Sequence, residues 1–513
     1  MKFPRSSGVL LHPTSLTGPF GIGDLGGGAY SFAAFLSSSR QRIWQVLPLG
    51  PTGYGDSPYQ CFSAFAGNPL LLSLEKLVEE GVLSAADLAA APGFSDHEVD
   101  YGAVIQFKLP LLRRAFANFK RSATPSEWDA FHSFCQQNTY WLEDYAAFTA
   151  IKAAHGGAVW NQWDPAIASR RPEAIRAWVQ KLEEEIESHK YVQYQFFRQW
   201  SALRAYCGER GIRIFGDVPI FVAHDSADVW AHPELFELEN DGRPRVVAGV
   251  PPDYFSATGQ LWGNPLYRWE VLAQTGYAWW IDRLRTTLSM VDVIRLDHFR
   301  GFEAYWEVPA AESTAANGRW VKGPGASFFE AVQRALGDLP IVAENLGLIT
   351  PKVEQLRKKF GFPGMAVLQF AFGGDPQGPG FRPHNYSRNL VAYTGTHDND
   401  TTHGWWTSSG LADSTRSQDQ IWREREFALK YLGADGREMN WSFIRCVLAS
   451  VADVAMIPLQ DLLGLGNEAR MNLPARSSGN WRWRYDKAAL TTGLRDRLGE
   501  LTEIFGRAQS RSV

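Results

Sequence analysis

Three carboxylic acids stand where short apolar runs give way to polar turns. Asp297 ends the run that starts at residue 291, Glu344 follows the run 340–343, and Asp398 follows the run 390–394. Such runs are typical of buried parallel strands, and parallel sheets carry their functional groups at the carboxyl ends of strands. We therefore expect the three acids to converge on one pocket.

The surroundings of these acids predict different protonation states. Chemistry at a glycosidic bond with retained configuration needs one ionised nucleophile and one protonated acid, about 5–5.5 Å apart. Arg295 precedes Asp297 by two positions, so both side chains project to one face of a strand, and the guanidinium favours the carboxylate. Burial after an apolar run would raise the pKa of Glu344. We expect Asp297 to be the nucleophile and Glu344 the general acid and base, with Asp398 opposing positive charge on the sugar ring.

Eight apolar segments have the length and composition of buried strands. Helix-period segments, such as 29–38 and 326–336, separate most of them, which indicates repeated strand–crossover–strand units. The expected strands are 8–12, 43–48, 212–222, 291–297, 341–344, 365–372, 390–394 and 454–460. Eight such units predict an α/β fold, the (β/α)8 TIM barrel.

The length of the chain, 513 residues, exceeds what a bare barrel needs. Such a barrel takes roughly 250 residues, so the rest must lie in insertions. The long intervals predict a mostly helical insertion over 60–205 after the second strand, and a substrate-loop insertion over 223–285 after the third. No low-complexity linker divides the chain, so we expect a single elaborated catalytic domain over 1–513.

The composition favours an uncharged ligand. Lys and Arg total 51 against 55 Asp and Glu, and this net charge of −4 offers no broad field for nucleic acid or an anionic membrane. No apolar run approaches ~18 residues, and the N-terminal segment lacks a secretory core. The four cysteines are far apart, which predicts free thiols and a cytoplasmic location.

The histidines and glycines give no cofactor signal. The eleven histidines show no metal-binding spacing, so we expect no metal. Gly21, Gly23 and Gly26 satisfy the pattern GxGxxG, but they follow a proline-containing turn, and no acidic residue lies near the position about 20 residues later where ribose would bind. We expect no cofactor.

Segment 253–269 (DYFSATGQLWGNPLYRW) interleaves aromatic rings with polar side chains. Aromatic rings suit the C–H faces of sugars, and amides and carboxylates bond sugar hydroxyls. We interpret the segment as a ligand-lining loop. Its Trp262 either covers a sugar ring or anchors the loop on the barrel.

Seven segments together resemble one known family. They are HPTSLTGPFGIGDLG from His12, PLGPTGYGDSPYQ from Pro48, GDVPIFVAHDSADVW from Gly216, PPDYFSATGQLWGNPLY from Pro251, RLDHFRG from Arg295, AENLG from Ala343 and GTHDNDT from Gly395. Through these segments the chain resembles the short form of the 4-α-glucanotransferases, the amylomaltase or disproportionating-enzyme family, which are relatives of the α-amylases.

The resemblance implies retaining transfer of a segment of an α-1,4-glucan to the 4-hydroxyl of another glucan or of glucose. It implies a covalent glycosyl intermediate on Asp297, acid/base work by Glu344 and transition-state stabilisation by Asp398. Maltooligosaccharides and longer α-1,4-glucans are the implied partners. The implied substrate-binding residues are Tyr59, Asp217, Asp253, Gln260, Trp262, Arg295, His397 and Asn467.

Two other functions stay open at the level of sequence. A hydrolase of α-glucans would use the same acids but would accumulate reducing ends from maltotriose. A non-catalytic glucan-binding protein would need the carboxylates but not their different protonation states.

Overall fold

The computed structural model describes residues 3–252, 258–408, 417–474, 476 and 478–508. Twelve strands lie in these ranges. They are β1 (Ser6–Leu10), β2 (Ile43–Gln45), β3 (Arg213–Val218), β4 (Val246–Val250), β5 (Gln260–Pro265), β6 (Val293–Leu296), β7 (Ala304–Pro309), β8 (Arg319–Lys322), β9 (Ile341–Ala343), β10 (Gly364–Val367), β11 (Leu390–Tyr393) and β12 (Val454–Pro458).

Eight of the strands form one parallel sheet. Its order is β10-β11-β12-β1-β2-β3-β6-β9, so neighbours in the sheet follow one another around a ring. Between its two ends the Ala343 N–H donates to the Pro363 carbonyl at 2.9 Å, and the Met365 N–H donates to Asn345 Oδ1 at 2.8 Å. These bonds join β9 to β10, which confirms the predicted (β/α)8 barrel.

The barrel strands are buried on both faces. Every residue in them is buried except Arg213 and Leu390. Helices cover the outer face and side chains fill the interior, so these strands appear in the sequence as continuous apolar runs without alternation.

The helices of the described residues cover this barrel and build its insertions. They are α1 (Gly27–Ser38), α2 (Leu74–Glu79), α3 (Ala85–Leu88), α4 (Tyr101–Ser122), α5 (Pro125–Gln137), α6 (Thr139–Ala154), α7 (Pro165–Ala168), α8 (Pro172–Lys181), α9 (Glu183–Glu209), α10 (Ala227–Ala231), α11 (Trp269–Gln274), α12 (Ala278–Met290), α13 (Ala326–Leu336), α14 (Pro351–Lys359), α15 (Thr402–Thr407), α16 (Gln418–Leu432), α17 (Met439–Ala449), α18 (Leu459–Leu463) and α19 (Thr492–Ile504). None of them is long and apolar enough to cross a membrane.

Long insertions follow the second and third barrel strands. Helices α2 to α9 lie between β2 and β3, and the stretch between β3 and β6 contains α10, β4, β5, α11 and α12. Strands β4 and β5 join β7 and β8 in a four-stranded antiparallel sheet of order β5-β4-β7-β8. This smaller sheet brings Val246–Val250 and Gln260–Pro265 next to β7 and β8, which follow Asp297 in the chain. The treatment of the chain as one elaborated domain remains our interpretation.

Each predicted barrel strand is present, but most are shorter than predicted. The run 365–372 pairs only over Gly364–Val367 and then turns into the 3-10 helix Leu368–Ala371. The run 454–460 ends as a strand at Pro458, where α18 begins. The apolar pattern reports burial, which continues into the turns above the barrel, whereas strand ends depend on hydrogen bonding between strands.

Candidate active site

Asp217, Arg295 and Asp297 meet at the carboxyl ends of two adjacent strands. Asp217 in β3 is the register partner of Arg295 in β6. Arg295 Nη1 donates to Asp217 Oδ2 at 2.6 Å, and Nη2 lies 2.8 Å from Asp297 Oδ1. The Tyr59 hydroxyl also donates to Asp217 Oδ2, at 2.7 Å. One guanidinium, 7% exposed, thus bridges two carboxylates.

The pKa of Asp297 is raised to about 6, and burial is the main cause. Arg295 lowers this pKa, while the charges of Asp217 and Asp398 raise it further. The sequence predicted that Arg295 would favour the carboxylate of Asp297. The guanidinium does lower the pKa of Asp297, but the effect of burial on this pKa is larger. The same guanidinium also forms an ion pair with Asp217.

Glu344 is the first residue after β9, and two backbone N–H groups hold its carboxyl group. The His298 N–H donates to Oε2 at 2.9 Å, and the Leu346 N–H donates to Oε1 at 2.7 Å. Burial raises the pKa of Glu344 to about 7, although Arg295 acts to lower it, and the Asp297 charge adds to the rise. Glu344 therefore holds its proton to higher pH than Asp297 does.

Asp398 lies in the turn after β11, and its pKa is lowered, whereas those of Asp297 and Glu344 are raised. Asn472 Nδ2 donates to its Oδ1 at 2.7 Å, and His397 Nε2 lies 3.3 Å from its Oδ2. Burial acts to raise the pKa of Asp398. The charge of His397, the hydrogen bond from His397 and the hydrogen bond from Asn472 act in the opposite direction, and they hold this pKa below its usual range. Arg470 fixes the turn by donating to the Asp398 carbonyl at 2.6 Å.

Three aromatic rings pack beside Asp398. The rings of Tyr59 and His397 are stacked with centroids 5.2 Å apart at 16°. Trp481 lies 5.8 Å from each of them. His397 is buried, so its contacts with Tyr59 and Asp398 fix the ring at one side of the carboxyl cluster.

Trp262 packs against His298, the residue whose N–H holds Glu344. Its indole meets the His298 ring edge-on, with centroids 4.8 Å apart at 83°. The indole N–H donates to Gln260 Oε1 at 3.2 Å. His298 has a positive φ of 49°, a conformation that non-glycine residues adopt rarely, and this places its N–H toward Glu344.

Two predicted substrate-binding residues, Asn467 and Asp253, differ from the others in their position. Asn467 is exposed, and its side-chain oxygen accepts the Thr401 N–H at 3.2 Å, so it braces the start of α15 behind the Asp398 turn. Asp253 lies outside the described residues. The remaining predicted residues except Gln260 contact the carboxyl cluster or a residue that holds it; they are Tyr59, Asp217, Trp262, Arg295 and His397. Gln260 accepts the Trp262 indole N–H and is one contact further away.

The sequence reasoning did not select Asn472, His298 or Trp481 as site residues. Asn472 and Trp481 are distant in sequence from the residues that they contact, and no local pattern indicates these contacts. His298 follows Asp297 directly, so its position was a usable signal. Within the described ranges, no cluster of three or more His, Cys, Asp or Glu side chains could hold a metal ion.

The barrel and its carboxyl groups together indicate which kind of enzyme this is. A (β/α)8 barrel that gathers three carboxyl groups with separated pKa values at the carboxyl ends of its strands has the architecture of enzymes that act on glycosidic bonds.

Comparisons with known proteins identify the family. The 4-alpha-glucanotransferase family model matches residues 11–491. The chain is 53% identical over 507 residues to the 4-alpha-glucanotransferase of Synechocystis, covering 98% of each chain. It is 51% identical over 515 residues to that of Thermus thermophilus, covering 99% of this chain and 100% of the relative. The structure of amylomaltase from Streptococcus agalactiae in complex with acarbose matches with a TM-score of 0.93 at 40% identity, over 98% of this chain and 100% of that one.

The chain therefore belongs to the 4-alpha-glucanotransferase family. The predicted family and the predicted enzyme activity, 4-alpha-glucanotransfer, are confirmed.

Proposed function

We propose that the enzyme transfers segments of α-1,4-glucans with retention of configuration, through a covalent intermediate on Asp297. The observation that carries this proposal is that the three carboxyl groups differ in pKa. The pKa of Asp398 is lowered, that of Asp297 is about 6 and that of Glu344 is about 7. Near neutral pH one carboxyl group then holds a proton while its neighbours are ionised, which the two-step mechanism needs.

In the first step, an Asp297 oxygen attacks the anomeric carbon and forms the glycosyl ester. The bond from that carbon to the 4-oxygen of the next sugar breaks, and Glu344 gives its proton to this leaving oxygen. Asp398 remains ionised and opposes the positive charge that develops on the ring. Arg295 keeps the Asp297 carboxylate in place through the 2.8 Å contact.

In the second step, the 4-hydroxyl of an acceptor glucan or of glucose takes the place of the departed fragment. Glu344 accepts the hydroxyl proton, the acceptor oxygen bonds to the anomeric carbon, and the ester bond to Asp297 breaks. Water competes for the same ester, so transfer depends on a well-filled acceptor site and on the exclusion of solvent. The segment 253–269, expected to be a loop, contains β5 (Gln260–Pro265), with Trp262 inside this strand. Trp262, the rest of this segment and Tyr59 are our candidates for that exclusion.

Maltotriose as sole substrate tests the proposal. Transfer predicts free glucose and maltodextrins longer than maltotriose, resolved by chain length, without growth in the number of reducing ends. Asp297→Asn should reduce both products by several orders of magnitude, because an amide cannot form the ester. Growth of reducing ends without longer products would identify a hydrolase, and an unchanged maltotriose pool would indicate a glucan-binding protein.

The cysteines support a cytoplasmic location. All four, Cys61, Cys135, Cys207 and Cys446, are free thiols, which is the usual state in a reducing compartment. Fractionation of the source cells tests this location, and recovery of the activity outside the cytoplasmic fraction would contradict it.

A further inference from the structure

A cross-strand pair of tryptophans lies in the antiparallel sheet, outside the residues assigned so far. Trp306 in β7 and Trp320 in β8 are register partners, and their ring centroids are 5.1 Å apart at 67°. The Trp306 N–H donates to the Ala315 carbonyl at 2.8 Å, which fixes this ring. Trp320 is 39% exposed on β8, the edge strand. One anchored indole thus sets the orientation of an exposed one.

Arg300 supports the exposed indole from one side. Its guanidinium carbon lies 3.6 Å from the centroid of the Trp320 ring. Arg300 is itself buried, and its Nη1 donates to the Leu348 carbonyl. Leu348 is 48% exposed. One buried guanidinium thus contacts the ring of Trp320 and the backbone of Leu348, and we call these two exposed residues the patch.

The patch is connected to the carboxyl group of Glu344. Leu348 lies four residues after Glu344, and the Glu344 side chain accepts the N–H of Leu346 within the same loop. Gln377 Nε2 fixes this loop by donating to the Gly347 carbonyl at 2.7 Å. Arg300 itself lies three residues after Asp297. The loop thus leads from the acid/base carboxyl directly to the patch.

We propose that Trp320, with Leu348 beside it, is an outer subsite for the acceptor α-1,4-glucan. This inference rests on the proposed role of Glu344. A general acid and base contacts the oxygen that joins donor and acceptor sugars, so the acceptor chain continues on the Glu344 side of that oxygen. An oriented indole offers the C–H face of a glucosyl unit a flat apolar surface with little side-chain freedom to lose. Lys322, two positions after Trp320 and therefore on the same face of β8, carries donors for sugar hydroxyls.

A sugar fits this patch better than a second protein chain does. The patch consists of two side chains, whereas a stable protein interface buries about 800 Å² on each partner. One glucosyl unit, in contrast, needs a surface of about one indole ring. Arg319, the strand neighbour of Trp320, projects to the other face of β8, where it contacts Glu307 at 2.6 Å.

The test separates short from long acceptors. Maltotriosyl fluoride serves as donor, and 4-nitrophenyl α-glucoside or 4-nitrophenyl α-maltohexaoside serves as acceptor, with the lengthened chromophoric products quantified by chain length. For Trp320→Ala we expect the acceptor KM for the hexaoside to rise about three- to tenfold, since an aromatic contact of this kind is worth that factor. The KM for the monoglucoside and both kcat values should change less than about twofold.

Two further variants serve as controls. Trp320→Tyr keeps an aromatic face and should restore most of the hexaoside affinity. Trp178→Ala removes a half-buried indole of α8 that also stacks on a cation, with Lys181 Nζ 4.2 Å from its ring, and should leave both acceptor KM values unchanged.

Several outcomes would overturn the subsite. An unchanged hexaoside KM in folded Trp320→Ala contradicts it, and an equal rise for both acceptors would show a disturbance of the catalytic loop instead. A change of molecular mass in light scattering would identify the patch as an interface between copies of the chain. Absence of transfer by the wild-type enzyme would contradict the proposed function itself, so the two failures are distinguishable.

Discussion

At the scale of single residues, Arg295 has a central position because it contacts two carboxylates at once. Its Nη1 binds Asp217 and its Nη2 binds Asp297, so the two carboxylates share one positive charge. The pKa of Asp297 therefore stays at about 6 in a buried setting, close to the value of about 7 for Glu344. These two groups titrate as a pair rather than as independent acids.

The first prediction concerns the pH dependence of kcat/KM with maltodextrins. Activity needs ionised Asp297 and protonated Glu344. Because both pKa values are raised, activity should fall below about pH 6, as Asp297 gains its proton, and above about pH 7, as Glu344 loses its own. A profile of rates between pH 4 and 9 measures both limbs. An acidic limb near the ordinary aspartate pKa and an alkaline limb beyond pH 9 would contradict the assignment.

The second prediction separates the roles of Glu344 and Asp398. Glu344→Gln should lower the rate with maltodextrins by about 100-fold or more, but should spare the first step with an α-glucosyl fluoride, whose leaving group needs little protonation. The glycosyl ester should then accumulate and be detectable by mass spectrometry. Asp398→Asn should depress both donors alike, because it acts on the charge of the ring. If fluoride does not distinguish the two variants, the acid/base assignment is wrong.

At the scale of elements, the antiparallel sheet β5-β4-β7-β8 connects loops from different parts of the barrel. Trp262 in β5 packs against His298, and Trp320 in β8 packs against Arg300, so both edge strands contact the segment that follows Asp297. The contact with His298 is important because the N–H of that residue holds Glu344.

The third prediction concerns Trp262, which either covers a sugar or anchors its loop. If the indole covers a sugar ring, Trp262→Ala should keep the melting temperature within about 2 °C, weaken acceptor use and raise the ratio of hydrolysis to transfer. Maltotriose products and reducing ends measure this ratio. Trp262→Phe retains a ring and serves as control. A lower melting temperature with an unchanged ratio would instead indicate a loop anchor.

At the scale of the whole molecule, Arg507 after α19 packs beside the start of β1. Arg507 is completely buried, and its guanidinium donates to backbone carbonyls around the turn between α17 and β12. The acceptors are Ser6, Val447, Leu448, Ser450, Ala452 and Asp453. Arg5 donates to three of the same carbonyls, those of Leu448, Ser450 and Ala452. The C-terminal segment thereby ties β1 to β12.

The fourth prediction tests this connection. Arg507→Ala removes a completely buried guanidinium and the hydrogen bonds that it donates, although Arg5 still donates to three of the acceptors. Each hydrogen bond to a charged group contributes about 1.5–3 kcal/mol. We expect a melting temperature lower by several degrees, measured by calorimetry, with kcat/KM at 25 °C unchanged in the folded protein. Arg437→Ala, at a side chain that is 88% exposed, is the matched control and should leave the melting temperature unchanged. Equal melting temperatures for both variants would show that the connection carries no stability.

The positions of the barrel strands, and the acids that follow them, can be predicted from the order of residues alone. Continuous apolar runs can only be buried strands or helices, and a polar turn after each run places Asp297, Glu344 and Asp398 at strand ends. The family motifs likewise predicted Tyr59 and His397 as substrate-binding residues. These features are local, so the order of residues along the chain is sufficient to predict them.

The contacts between these residues, in contrast, depend on how the barrel closes. The bridge from Arg295 to Asp217 spans 78 positions, and the bond from Asn472 to Asp398 spans 74. Neither contact has a local signature, because both depend on which strands become neighbours when the barrel closes. The upward shift of the Asp297 pKa also depends on the tertiary structure. Its causes are the depth of burial and the sharing of one guanidinium, and neither can be predicted from the spacing of residues along the chain.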